Sequence, residues 1–323
     1  MVTLLSLLFL STAVFATVKY VFRAPELDTD KPVVTPDGTA STDVDRTDTD
    51  EPDAPGRTRR EYCYNILVSG LDDDNGGSDT NILVRFDVPN KRIDLVSLPR
   101  DTLLHNEYRN NKLNFAYAKG GTELLMSQIE NLLGVPVDFY VTVNLKGFIA
   151  LVDQIDGVDF DIPINMDYDD PYQDLHIHFT KGPRHLNGQE AMEVVRFRHN
   201  NDGTGYGTED IGRIGTQQAF LKAVAKQLLQ IGNVKNIPAL VDIFYTYVKT
   251  DLTTGNLVWL GNEALNIGTE NIRFATLPGD GSGYYNKQSV YVLDAQATCD
   301  LVNEALNPYN EALTLEDMDI LVP

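Results

Sequence analysis

Between Tyr64 and Asp101 the chain carries three short apolar runs, YNILVSGLD, TNILVRFDV and RIDLVSLPRD, the last two joined by the turn PNKR. Runs of this length, rich in β-branched residues and ended by Gly, Asp or Pro, read as strands. Helical and strand-like segments then alternate. TELLMSQIENLLG places Leu124, Leu125, Ile129, Leu132 and Leu133 at helical spacing, with Gly134 as a stop. DFYVTVNL reads as a strand, KGFIALVDQI as a helix, GVDFDIP as a strand, and GQEAMEVVRF and GTQQAFLKAVAKQLLQIG as helices. VKNIPALVDIFYTYVKTDL and TGNLVWLGNEALNI read as helices, NIRFATLPG as a late strand and DAQATCDLVNEAL as a closing helix. Such a chain is predicted to form an α/β fold, a central mixed β-sheet covered by helices on both faces. There is no internal repeat, and no composition break after residue 62 that would mark a second domain.

Ahead of this domain lie two segments of different character. Val2 to Phe22 is apolar apart from small hydroxylated residues and Lys19, and about twenty such residues suffice to cross a bilayer. Residues 1–23 are therefore expected to be a membrane anchor, or a signal peptide cleaved after a small residue such as Ala16; either exports the rest of the chain. Residues 24–61 are rich in Asp, Thr and Pro with no apolar periodicity. They are expected to be a disordered acidic linker, a spacer lifting the domain off the membrane. Residues 62–323 then form the extracytoplasmic domain. Cys63 and Cys299 are too few for a disulfide framework or a metal-ligand cluster; they either pair outside the cytoplasm or remain two separate thiols.

The charge distribution points to a site. The net charge is −21, which leaves no general basic surface for nucleic acid. Yet VVRFRHNNDGTGYGTEDIGRIGTQQ concentrates Arg196, Arg198, His199 and Arg213. Two predicted strands end in polar residues, SGLDDDNGGSDT with Asp72 and Asp79, and SLPRDT with Arg100 and Asp101. Ligands of open α/β sheets bind outside the carboxyl ends of strands. A carboxylate cluster beside arginines suits a magnesium–pyrophosphate ligand, because Mg²⁺ takes one or two protein carboxylates and fills its shell with phosphate oxygens and water. Arginines fork onto the oxygens that remain. Singly, DDDNGG is an ordinary solvated turn and PRD an ordinary surface ion pair. The specific signal is their conjunction, in order, with KLN at Lys112 to Asn114, RFRH and GRIGTQQ.

Through these motifs the chain resembles the LytR-CpsA-Psr (LCP) family across nearly all of residues 62 to 308. NILVSGLD, SDTNILVRFD, DLVSLPRDT, KLNFAYAKGG, LHIHFTKGPRHLNGQEAMEVVRFRH and GRIGTQQAFLKAV carry the likeness. The resemblance implies an enzyme outside a bacterial cell membrane. It would move a glycopolymer such as a teichoic acid or capsule from a polyprenyl-pyrophosphate carrier to a peptidoglycan hydroxyl, forming a phosphodiester. It implies that Asp72 and Asp79 hold Mg²⁺, and that Arg100, Arg196, Arg198, Arg213 and Gln217 bind the pyrophosphate. Asp79, Arg100 and Arg198 would act in catalysis, with Asp79 the candidate base. Arg213 and Gln217 are expected to open a helix whose N-terminus also favours phosphate.

Two departures stand out: Thr216 replaces a basic residue common before the glutamines, and Asn200 to Glu209 is a Gly-rich acidic insertion that gates acceptor entry or is simply solvated. His199 is expected to orient a neighbour. Three other functions use the same features: a hydrolase of the lipid diphosphate, a non-catalytic binder of polyprenyl phosphates, and a transcription regulator. The apolar N-terminus, the acidic charge and the lack of a helix-turn-helix pattern argue against the last.

Overall fold

The computed structural model describes residues 22–27, 57–71, 76–106, 108–207, 209–230, 243 and 245–322. The expected anchor up to residue 21, most of the acidic linker (28–56) and Asp72 lie outside the described residues. No helix among the described residues is long and apolar enough to cross a membrane.

The three apolar runs form β1 (Cys63–Leu71), β2 (Ser78–Asp87) and β3 (Arg92–Leu98), an antiparallel meander. Then come α1 (Leu113–Leu133), β4 (Phe139–Asn144) and α2 (Leu145–Gln154). Four short strands succeed them, β5 (Val158–Ile162), β6 (Met166–Asp170), β7 (Leu175–Phe179) and β8 (Gly182–Leu186). Next are α3 (Gly188–Arg196), α4 (Glu209–Gln230), β9 (Val248–Thr250), α5 (Thr254–Ile267) and β10 (Ile272–Thr276). A hairpin of β11 (Gly279–Tyr285) and β12 (Gln288–Leu293) leads into α6 (Ala295–Ala305). The six-stranded sheet has the order β10-β3-β2-β1-β4-β9. It is mixed, as expected: β4 runs parallel to β1 and β10 parallel to β3. These four strands therefore share one direction and one carboxyl end.

The apolar runs are nearly continuous because the sheet is buried on both sides. Leu67, Leu83 and Val96 face α1 and α6, packing on Leu125, Ile129 and Val302. Tyr64, Ile66, Phe86 and Ile93 face the other way, onto Leu260 and Ile267 of α5. A third core holds no side chain of the six-stranded sheet. It joins α2, the β5–β8 strands, α3 and α4 through Val152, Ile162, Ile177, Val194, Phe197 and Phe220.

Several local expectations are corrected. Val248–Thr250, inside a segment expected to be helical, adds an edge strand antiparallel to β4, where Thr250 meets Val141. Part of that segment, 234–242 with 244, lies outside the described residues. The helix expected from Thr122 begins at Leu113 and bends at Gly120 and Gly121, whose backbones are non-helical. Cys63 and Cys299 are both buried and free, so they do not pair. Burial pushes the Cys63 thiol up to about 11, with the Asp87 charge adding to the effect, which makes it a poor nucleophile. Of the stretch expected to be linker, Pro25 is buried and its carbonyl accepts a hydrogen bond from Tyr64 Oη at 3.0 Å. Arg59 and Arg60 pair with Asp138 and Asp87.

Gly134 stops α1 as its sequence position suggests. It adopts φ 65° and donates its N–H to Glu130 O at 2.8 Å. A Cβ there would be in the left-handed region and would collide with the backbone carbonyl of Asp317. Gly134→Ala is expected to lower unfolding stability by roughly 2–4 kcal/mol, the left-handed penalty plus the displacement. Urea denaturation reads this. An unchanged midpoint would mean that the turn bearing Asp317 moves aside freely.

Candidate active site

The carboxyl end of the sheet gathers the expected charges. Asn81 of β2 pairs with Leu98 of β3, so Asp79 at the start of β2 lies beside Pro99 and Arg100 just past the end of β3. Arg100 Nη1 donates to Asp79 Oδ1 at 2.8 Å, and Arg198 Nη2 lies 3.9 Å from Asp79 Oδ2. Arg213, 4% exposed, adds its charge from α4. Burial would push the Asp79 carboxyl up. The hydrogen bond and charge of Arg100, with the charges of Arg213 and Arg198, outweigh burial and hold it below the ordinary carboxylate range. Asp79, Arg100, Arg213 and Gln217 line one concave pocket, floored by Ser97 and Leu98 at the end of β3.

Local sequence explains how the arginines reach it. α3 is fixed at its start by a capping box: Asn187 Oδ1 accepts from Glu190 N at 3.0 Å, and Glu190 Oε2 accepts from Asn187 N at 3.1 Å. Phe197 ends the helix with ψ 135° and is sunk in the third core. Arg196 thus leaves from the last helical turn and Arg198 from beyond the helix end. Their side chains part company: Arg196 Nη2 donates to Gln173 Oε1 at 2.6 Å, in the turn between β6 and β7, while Arg198 joins Asp79.

α4 begins at Glu209, so Arg213 and Gln217 sit one and two turns inside the helix instead of opening it. The N-terminus of α4 therefore lies one turn ahead of Arg213. Gln217 Nε2 donates to Val195 O at 3.1 Å, tying α4 to α3. The neighbouring Gln218, the last residue of GRIGTQQ but given no role from the sequence, makes more contacts with the sheet. Its amide nitrogen reaches Ser97 Oγ (2.9 Å), Ala275 O (2.8 Å) and Thr276 Oγ1 (2.9 Å), pinning α4 across the ends of β3 and β10. Asp101 pairs with Lys112 Nζ at 3.2 Å, which gives the KLN motif a place at the rim.

The insertion after RFRH is not merely solvated. Asn200 and Asn201 use their side-chain oxygens to accept from Asp167 N (2.7 Å) and Asp169 N (2.6 Å), docking on the edge of β6. Tyr206 packs its ring on Phe197 with centroids 5.6 Å apart, and its hydroxyl meets Thr216 Oγ1 at 2.8 Å. Thr216, the departure noted in the sequence, is thus the partner of the insertion's own tyrosine. His199 stacks edge-on against Tyr168 at 5.6 Å and touches Asn200 O at 3.0 Å, a packing role.

Of the two carboxylates expected to hold Mg²⁺, Asp79 alone can be weighed. One of its oxygens is taken by Arg100; the other lies too far from Arg198 for a hydrogen bond. A single hard carboxylate oxygen beside anion-binding arginines fits an Mg²⁺ that keeps phosphate and water in the rest of its shell.

Known proteins share this layout. The family model described as LytR_cpsA_psr family matches residues 34–307. A polyisoprenyl-teichoic acid–peptidoglycan teichoic acid transferase, TagV of Bacillus subtilis, is 31% identical over 73% of the chain, and the match spans 61% of that relative's length. TagU of Bacillus cereus, of the same description, is 32% identical over 74% of the chain and 76% of its own. The crystal structure of B. subtilis TagV superposes with a TM-score of 0.65 at 26% identity, covering 81% of this chain and all of that one.

Proposed function

The chain belongs to the LytR-CpsA-Psr family, and on that premise we propose that it is a phosphotransferase attaching a glycopolymer to the cell wall. The donor would be a polyprenyl-pyrophosphate-linked glycopolymer, and the acceptor a peptidoglycan hydroxyl. The observation that carries this reading is the convergence of Arg100, Arg198 and Arg213 on Asp79 at the carboxyl end of the sheet. Three guanidinium groups held around one carboxylate form a cradle for a diphosphate of higher charge.

The reaction is a displacement at phosphorus. The acceptor oxygen bonds to the phosphorus that carries the polymer, the bridging P–O bond of the diphosphate breaks, and polyprenyl phosphate leaves. Catalysis here is mainly positioning and charge neutralisation. Arg100, Arg198 and Arg213 bind the non-bridging oxygens and stabilise the leaving phosphate. As they swing onto the diphosphate they release Asp79, whose oxygen not committed to metal accepts the hydroxyl proton. Mg²⁺, held by Asp79 together with Asp72, would supply further charge neutralisation on the diphosphate. The apolar segment from Val2 to Phe22 would keep the domain at the outer face of the cell membrane, where the lipid carrier lies. Arg196, bonded to Gln173, is assigned to the outer part of the phosphate site.

The decisive experiment incubates the purified full chain with a lipid-linked glycopolymer, with and without peptidoglycan. Polymer linked to peptidoglycan through phosphate is the expected product. Release of free polymer phosphate regardless of acceptor would make the protein a hydrolase, and binding without turnover would make it a carrier of polyprenyl phosphates. In EDTA the rate is expected to fall by at least tenfold and to return with added Mg²⁺; an unchanged rate overturns the metal assignment.

A further inference from the structure

The β6–β7 hairpin carries a second cluster of ligating side chains, on the face opposite the third core. Leu175, Ile177 and Phe179 point inward and are buried. Strand alternation therefore turns His176 and His178 outward together. Across the hairpin, Asp169 stands opposite His176 and Asp167 opposite His178. One ligand atom from each of Asp169, His176 and His178 lies within 4.8 Å of the other two.

We propose that this face binds one Zn²⁺ through Asp169, His176 and His178. Asp169 Oδ1 is the hub, 2.5 Å from His176 Nδ1 and 3.3 Å from His178 Nε2. Ligands about 2.0–2.2 Å from a tetrahedral zinc are about 3.3–3.6 Å from one another, so the pocket needs only small rotations of exposed side chains. The second nitrogen of each ring also faces a carboxylate: His178 Nδ1 is 2.8 Å from Asp167 Oδ1, and His176 Nε2 is 3.6 Å from Asp174 Oδ1. A carboxylate behind a ligating imidazole fixes the tautomer and raises its basicity. Two imidazoles with one carboxylate select a borderline transition ion over Mg²⁺ or Ca²⁺, which prefer all-oxygen shells.

The backbone is held for the purpose. Asn200 and Asn201 pin the far edge of β6, and Gln173 in the turn is held by Arg196. The neighbouring β5–β8 pair offers a contrast. Asp159 and His185 meet there at 2.8 Å, but the strands bring a single imidazole. The bound ion would tie β6 to β7 and stiffen the hairpin on which Arg196 rests.

Isothermal titration of the full chain, free of any histidine tag, with ZnCl₂ tests this. One Zn²⁺ per chain at micromolar or tighter affinity is expected, with tetrahedral d–d absorption when Co²⁺ replaces it. His176→Ala/His178→Ala should abolish binding, with circular dichroism confirming the fold, and Asp169→Asn should weaken it at least tenfold. Asp79→Asn should leave it intact, which separates this site from the phosphate cradle. Stoichiometric binding that survives the double histidine change, or no binding by the wild-type chain, overturns the proposal.

Discussion

Arg198→Ala is expected to reduce the turnover of polymer transfer by about 10²–10³-fold, the loss typical of removing one preorganised donor from developing charge. The protein should otherwise fold and melt as before. Arg198 is the better probe of the three arginines because its side chain is 40% exposed and only loosely held, 3.9 Å from Asp79. Exposed substitutions of this kind change stability by about 0.5 kcal/mol or less. Arg213 is less informative: it is almost fully buried beside Asp79, and its removal would disturb packing and charge together. Arg198→Lys should recover only part of the rate, since it restores charge without the planar fork. Arg196→Ala should lose less than Arg198→Ala, because Gln173 already occupies its guanidinium. Turnover of Arg198→Ala within threefold of wild type would overturn the cradle.

The two arginines of RFRH show where sequence reading stops. Their presence, and their membership of one anion site with Arg100, came from motif order alone. What parted them is Phe197, whose burial in the third core ends α3 between them. A buried aromatic cannot be told from an exposed one in a stretch so short. Five strands of the six-stranded sheet were legible, β1, β2 and β3 because they are apolar enough to be buried on both faces; the edge strand β9 was read as helix. Of the small strands, β5 was read as GVDFDIP, and β6, β7 and β8 were not read. Each is five residues long with Asp, His or Arg at its outward positions; LHIHF does alternate, but a run so short stands out only once the register pairs it with MDYDD. The start of α4 was missed because GTED carries no apolar periodicity. Gln218 was missed for another reason: its partners Ser97 and Thr276 lie 121 and 58 residues away, and no local pattern marks a glutamine that spans such distances.

Asp79→Asn should separate binding from turnover. In the free protein the Asp79 carboxylate is the counter-ion of Arg100, Arg198 and Arg213. Any diphosphate entering the cradle must displace it from Arg100 and sit close to its negative charge. Asparagine keeps the shape and removes the charge, so metal-free binding of inorganic pyrophosphate is expected to tighten by about tenfold, the equivalent of roughly 1.4 kcal/mol. The same change removes a metal-competent oxygen and the proton acceptor, so transfer should fall by at least about 10²-fold. With one negative charge fewer among Arg100, Arg198 and Arg213, the melting temperature should also fall in low-phosphate buffer, with phosphate restoring it. These three readouts move together only if Asp79 holds the place of the substrate's phosphates. A carboxylate that served structure alone would lower stability and leave turnover of the folded fraction intact. One that served only as a base would lower turnover without tightening pyrophosphate. Tighter pyrophosphate with lost turnover is the outcome that requires the arginine cradle and the carboxylate to be parts of one site.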